Sequence, residues 1–141
     1  MLIKSLTLHQ PWASFMALGL KRNETRSWKA NYHGPLAIHA ALRKPKIGDH
    51  IPCFDLAIQT IGQPMNWQYG KILCVVDLEG WLYIPDKLEQ KEIVEMLTYP
   101  ESILGDYSLG RYVWQTKMIQ VFDEPIPAKG KQGLWDWEWE Q

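Results

Sequence analysis

The last residues of the chain constrain its fold more than any other stretch. From Leu134 to Glu140, Trp135, Trp137 and Trp139 alternate with Asp136, Glu138 and Glu140. A period of two places three indoles on one face and three carboxylates on the other, the pattern of a strand and not of a helix. The fold therefore contains a sheet with an apolar face. These indoles belong to a wider excess, since eight Trp, six Tyr and three Phe make 12% of 141 residues aromatic. Two readings of that excess stay open: the rings pack the core of a small barrel, or some form a stacking surface for bases. A third reading has the Trp135, Trp137 and Trp139 face docking another protein, and it depends on those indoles being uncovered.

Other segments supply more strands and a few short helices. Leu2–Leu8 has a β-favouring alternation and reads as the first strand. Pro11 then opens a two-turn helix through Trp12, Phe15 and Met16, closed by Gly19. Asn23–Trp28 reads as a second strand, Asn31–Pro35 as a turn and Leu36–Ala40 as a third strand. A helix is predicted over Ile51–Ile61, bounded by Gly62 and Pro64. Lys71–Leu82, long, apolar and rich in β-branched residues, should be a central strand. Asp86 with Glu89 forms a capping box for a helix reaching about Leu97. After the turn at 105–110, Arg111–Met118 reads as a strand and the Pro-interrupted Ile119–Pro127 as an edge strand. Five or six strands with two or three short helices describe an α+β fold, a small mixed and mostly antiparallel β-barrel.

With 46% hydrophobic residues, the chain is sized for one domain spanning residues 1–141 and can bury a core without staples. No apolar run approaches the ~20 residues of a bilayer span. The N-terminus, MLIKSLTLHQPW, lacks a signal-peptide pattern, so the reading is a cytoplasmic protein with no membrane partner. Cys53 and Cys74 form no C-x-x-C or Cys/His array, and His9, His33, His39 and His50 are not spaced as ligands. No metal and no cofactor are expected.

The formal net charge of −1 hides an asymmetry. Residues 1–50 carry eight Lys and Arg against two acids, whereas residues 51–141 carry seven against fourteen. Such a split can place a basic, phosphate-attracting face on a neutral protein, or merely a solvated one.

The densest polar cluster is LKRNETRSW, Leu20–Trp28. If it is extended, Glu24 and Arg26 share a face, and Lys21 at the helix–strand junction leans over it. A Lys, a Glu and an Arg so placed can bind a phosphate or a polar base edge, or form a proton-transfer pair. They can equally be an exposed salt bridge worth about 0–1 kcal/mol. His9 and Gln10 lie where strand turns to helix, a position that often frames a pocket, and His39 reads as a core histidine. Ser14 has no nucleophile motif around it. Lys129–Gly133, KGKQG, admits either an approaching anion or plain solvated lysines on a hairpin loop.

Ser5–Trp28 (SLTLHQPWASFMALGLKRNETRSW), together with YHGPLAIHA, VVDL, GDYSLGRYVW and PIPAKGKQGLW, resembles an ASCH (activating signal cointegrator homology) domain over nearly the whole chain. The resemblance implies a PUA-like β-barrel with a cleft beside the first helix and a role with RNA or another nucleic acid. The family's cleft motif falls on Lys21, Glu24 and Arg26, flanked by Trp12, Ser14 and Trp28, with Lys129 and Gln132 from the late loop. The expected partner is single-stranded RNA or a modified nucleoside, with DNA as the alternative, bound by a monomer or weak dimer. The alternative activity is that of a small hydrolase with Lys21 and Glu24 as the working pair, acting on acetylcytidine or, as a ribonuclease, on RNA. Acetylcytidine amidohydrolases of the superfamily use a Lys, a Thr and a Glu. Lys21 fills the lysine place, Glu24 stands where the threonine would be, and Glu79 and Glu101 are candidates for the distal glutamate.

Overall fold

The computed structural model describes residues 1–46, 49, 51, 53–85 and 97–140. Strand β1 spans Leu2–Leu8 as its alternation predicts. Helix α1 follows at Trp12–Ala17. Six residues are too few for a helix to persist alone. Burial of Ala13 and Met16 against the sheet, and of Phe15 in the cluster that holds Ala57 and Trp67, keeps it in place, and Gly19, at φ +75°, turns the chain away. Strand β2 is Asn23–Arg26, two residues shorter than expected, and β3 is Gly34–Ala40. Helix α2 covers Phe54–Ile61, β4 Lys71–Tyr83, β5 Tyr112–Pro127 and β6 Leu134–Glu138. Short 3-10 turns occupy Pro64–Asn66 and Glu101–Ile103. The capping box at Asp86 and Glu89 and the helix expected after it lie outside the described residues.

The two strands expected at Arg111–Met118 and Ile119–Pro127 are one 16-residue strand, β5. Pro125 does not break it, because β2 pairs only with Tyr112–Gln115 and, among the described residues, the later half of β5 has no strand on that side. An irregularity in the ladder accommodates the rest: partners step from Ile72–Ile126 to Cys74–Val121.

The six strands form one sheet in the order β2-β5-β4-β3-β1-β6, antiparallel throughout except for the parallel pair β1–β3. The mixed, mostly antiparallel character is as expected, but the barrel is not closed. Among the described residues no ladder joins the edges β2 and β6. The four residues of β2 pair wholly with β5, and its other side faces the end of β1 across a gap bridged by a side chain, Arg26 Nη2 to Thr7 O at 3.3 Å.

Alternation along the strands separates two cores. Leu6, Leu8, Leu36, Ile38, Val76, Leu78 and Trp114 pack with Met16 of α1 on one face. Ile3, Ala37, Ile72 and Val75 pack on the other with Trp135 and Trp139. A third cluster joins Phe15, Cys53, Ala57, Trp67 and Leu104. The C-terminal indoles thus lie inside the molecule: Trp135 and Trp139 are buried, and Trp137 is partly covered against Phe122. Of the three indoles on which the protein-docking reading depends, Trp137 alone keeps partial exposure.

Candidate functional site

The gap beside β2 is a cleft of about 530 Å³. Thr7, Leu8 and His9 from the end of β1 form one wall with Trp12 of α1. Glu24–Trp28 form the opposite wall, and Ile103–Asp106 with Arg111 close the end. Of the residues singled out in the sequence, Trp12, Glu24, Arg26 and Trp28 therefore meet here.

Glu24 organises the polar side. Its Oε2 accepts from Arg26 Nε at 3.2 Å and lies 3.0 Å from Arg26 Nη2. Its Oε1 accepts from the Thr25 amide at 3.1 Å and stands 3.5 Å from Lys21 Nζ. The carboxylate is thus largely engaged by protein donors, and its work is to fix Arg26. The pair is only slightly exposed, unlike the solvated salt bridge that spacing also allowed.

Lys21 lies behind this pair rather than in the cleft. It is only 2% exposed, and its ammonium donates to the carbonyls of Asn23 and Leu104, the latter at 2.8 Å, besides facing Glu24. Two of its three N–H groups are thereby spent on backbone carbonyls, and the ammonium is ion-paired with Glu24. Lys21 instead borders a second cavity of about 400 Å³ with Arg22, Glu79, Lys117 and Met118. Glu101 is occupied as well, since its carboxylate accepts from the amides of Arg22 and Asn23, each at 2.9 Å. It steadies the segment carrying Lys21, and Glu79 sits exposed at the second cavity.

Ser14, Lys129 and Gln132 are not among the cleft residues. Ser14 is buried and receives a hydrogen bond from Gln10 Nε2 at 2.8 Å, while Gln10 Oε1 accepts from the Ser14 amide. Lys129 and Gln132 are exposed on the β5–β6 loop. That loop nevertheless packs behind the cleft wall, because Gly130 is pressed against His39 and Thr7.

Arg111 and Asp106 went unnoticed in the sequence as site residues. Arg111 donates from Nη2 to Thr25 O at 3.0 Å, and its Nε, 3.6 Å from Asp106 Oδ2, is buried without a hydrogen-bond partner among the described residues. Ser108, through its hydroxyl and its amide, and then Arg111 hold the Asp106 carboxyl below the usual range. The signal available was the run GDYSLGRYVW, where an arginine follows a tight turn at the start of a strand.

The lining is balanced rather than basic: two guanidinium groups, each facing a carboxylate. The positive N-terminal third is similarly dispersed. Lys4 pairs with Asp136, Arg43 with Asp49, and Lys21 and Arg26 share Glu24. What remains available to a ligand is the unused guanidinium N–H groups and the exposed part of Trp28. Trp28 is 36% exposed and is held edge-on against Trp114 with centroids 4.7 Å apart. A rigid ring beside oriented donors suits a planar, acceptor-bearing ligand.

A single mixed sheet with a side cleft between β1 and β2 is an α+β architecture of PUA-like type, and the chain belongs to the ASCH domain family, whose model matches residues 6–125. It is 31% identical over 134 residues to human "Activating signal cointegrator 1" and 30% identical over 134 residues to the mouse protein of the same name. Each alignment covers 92% of this chain but 21% of the relative, so the chain spans about a fifth of those proteins.

Proposed function

We propose that the chain is a nucleic-acid recognition module whose β1–β2 cleft takes a nucleotide of single-stranded RNA, or a modified nucleoside. Membership of the ASCH family supports a nucleic-acid-related role in general. The observation that carries the finer reading is the pairing of Trp28 with Arg26 and Arg111 around one cavity. In this reading a base stacks on the indole, and the guanidinium groups donate to phosphate or to base acceptors. About 530 Å³ falls within the range of small-ligand pockets.

Because the lining is balanced, stacking and directed hydrogen bonds supply more of the affinity than bulk charge. Two arginine contacts to phosphate on a single strand give a slope of log Kd against log salt of about 1.4. The test is anisotropy of labelled single-stranded RNA at rising salt, with single-stranded DNA in parallel and with Trp28→Ala and Arg26→Ala. A shallow slope and weakened binding in both variants support the reading. Undiminished binding by both variants defeats it.

The hydrolase alternative has less geometric support. A working Lys21–Glu24 pair needs an ammonium that reaches substrate, whereas Lys21 is turned to backbone carbonyls away from the cleft. Acetylcytidine and RNA incubated with the wild type and with Lys21→Arg discriminate the two. Lys21-dependent product reverses the preference for binding.

A further inference from the structure

Beyond the cleft wall at Trp28 the sheet carries further aromatic residues. In an antiparallel ladder, directly opposed residues project to the same face of the sheet. The registers join Glu24 to Trp114 and Trp114 to Trp81 in one row, and Arg26 to Tyr112 and Tyr112 to Tyr83 in the next. Both rows begin at a charged cleft residue and run out over aromatic rings. Trp114 is wholly buried, but cover thins along the second row, from half-buried Tyr112 to Tyr83 at 50% exposure. The rings brace one another: Trp81 meets Tyr112 edge-on at 5.2 Å, and Tyr83 lies 5.0 Å from Tyr112. Lys29, next to Trp28 in the chain, places its ammonium 5.9 Å from the Trp81 centroid.

We propose that Tyr112, Tyr83 and Trp81, with Lys29 at their side, form a second subsite that stacks the nucleotides following the one in the cleft. The ligand is then a single-stranded segment and not a free nucleoside. This rests on the cleft reading above and settles which of its two ligand classes applies. Arg26 and Tyr83 stand two strand spacings apart, roughly 10 Å. That distance accommodates about three nucleotides at the ~3.4 Å spacing of a stacked strand. The chemistry favours nucleic acid over an apolar peptide, because the rings carry a lysine at their margin and continue from two arginines. Rings already fixed by their neighbours also lose little freedom when a base settles on them.

The experiment compares nucleoside monophosphates of each standard base with mixed-sequence single-stranded RNA of increasing length. The proteins are the full chain and its Tyr83→Ala, Tyr83→Phe and Lys29→Ala variants. In the wild type, affinity should rise from the mononucleotide to strands long enough to reach Tyr83. Tyr83→Ala should leave mononucleotide binding unchanged and weaken the longer strand about tenfold, as loss of one stacked base does. Tyr83→Phe, which keeps the ring, should restore it, and Lys29→Ala should weaken the strand and flatten its salt dependence. A mononucleotide that binds as tightly as any strand, or a Tyr83→Ala variant indifferent to length, overturns the second subsite and leaves the cleft standing. Failure of every nucleotide and strand to bind removes both. Binding of a protein segment by the rings, with no gain from RNA length, overturns it as well.

Discussion

Lys21→Met separates a structural role for this lysine from a chemical one. Methionine is close in length to lysine and carries no charge, so the volume between the two cavities stays filled. What goes is an ammonium that donates to Leu104 O at 2.8 Å and to Asn23 O, and that faces Glu24 at 3.5 Å. A buried acceptor deprived of its donor costs about 1–3 kcal/mol. Removing one member of a buried ion pair costs about 3–5 kcal/mol. Glu24 keeps Arg26, so the lower end applies, and the expected loss is about 3 kcal/mol. With unfolding entropy near 2.1 cal/mol/K per residue, a 141-residue chain loses about 3 °C for each kcal/mol. Tm should therefore fall by about 10 °C, read by circular dichroism and checked by urea titration with an unchanged m-value. Glu24→Gln combined with Lys21→Met should cost less than the sum of the single changes, since both break one contact. A Tm within about 3 °C of wild type would refute the structural assignment and return Lys21 to the candidates for chemistry.

Further outcomes follow from other contacts. His39 Nε2 donates to Ala128 O at 2.7 Å, and its Nδ1 accepts from Thr7 Oγ1, which itself accepts from Trp135 Nε1 at 3.1 Å. Burial holds the ring below its ordinary pKa of 6.5, only partly opposed by the Ala128 carbonyl. The unfolded chain then binds the extra proton first, so stability falls as pH drops below about 6.5 and levels once the folded-state value is passed. Urea unfolding across that window should be steeper in pH for wild type than for His39→Gln, and equal slopes would count against it. Gly130→Ala puts a Cβ 2.6 Å from His39 Cε1 and 2.8 Å from Thr7 Oγ1. It should destabilise by about 1–3 kcal/mol in thermal unfolding, and a neutral result would show that the loop moves freely. Cys74 is fully buried and its thiol is pushed up to about 12 by desolvation. Iodoacetamide at about pH 8 should leave it unmodified until urea is added, and prompt labelling of the native chain would contradict its burial.

What was legible in the sequence is what local pattern controls. Leu2–Leu8 and Lys71–Leu82 are strands of nearly the predicted extent, because alternation marks the first and a β-branched apolar run the second. Glu24 and Arg26 were found because their contact needs only a strand's alternation. Lys21 joins the same cluster by spacing and does face Glu24, but it is buried and bonded instead of free. Its acceptor at Leu104 is 83 residues away, and no local pattern reveals that. Arg111 and Asp106 were missed for the same reason, since the β2–β5 ladder and the turn before β5 bring them to Thr25. The positive N-terminal third looked like a basic face until folding placed the acidic tail beside it, as in the pair Lys4–Asp136. Lys129 and Gln132 followed from resemblance, but the loop docks through Gly130, which leaves both side chains in solvent.

The open seam of the sheet explains why a candidate site lies here. Strand β6 pairs with β1 from Leu2 to Leu6 and then stops, so among the described residues no strand pairs with the outer side of Thr7. Backbone carbonyls left without a ladder need donors. Arg26 supplies one to Thr7 O across the gap, and Arg111 supplies one to Thr25 O. Each guanidinium has more N–H groups than these carbonyls use, so satisfying the seam leaves oriented donors pointing into it. A closed ladder would have satisfied Thr7 with main chain and left neither a cleft nor a reason for two arginines. Because main-chain acceptors already fix both side chains, a ligand that takes up their remaining N–H groups immobilises little that was free. The same interruption that keeps the barrel open thus preorganises the donors of the proposed recognition surface.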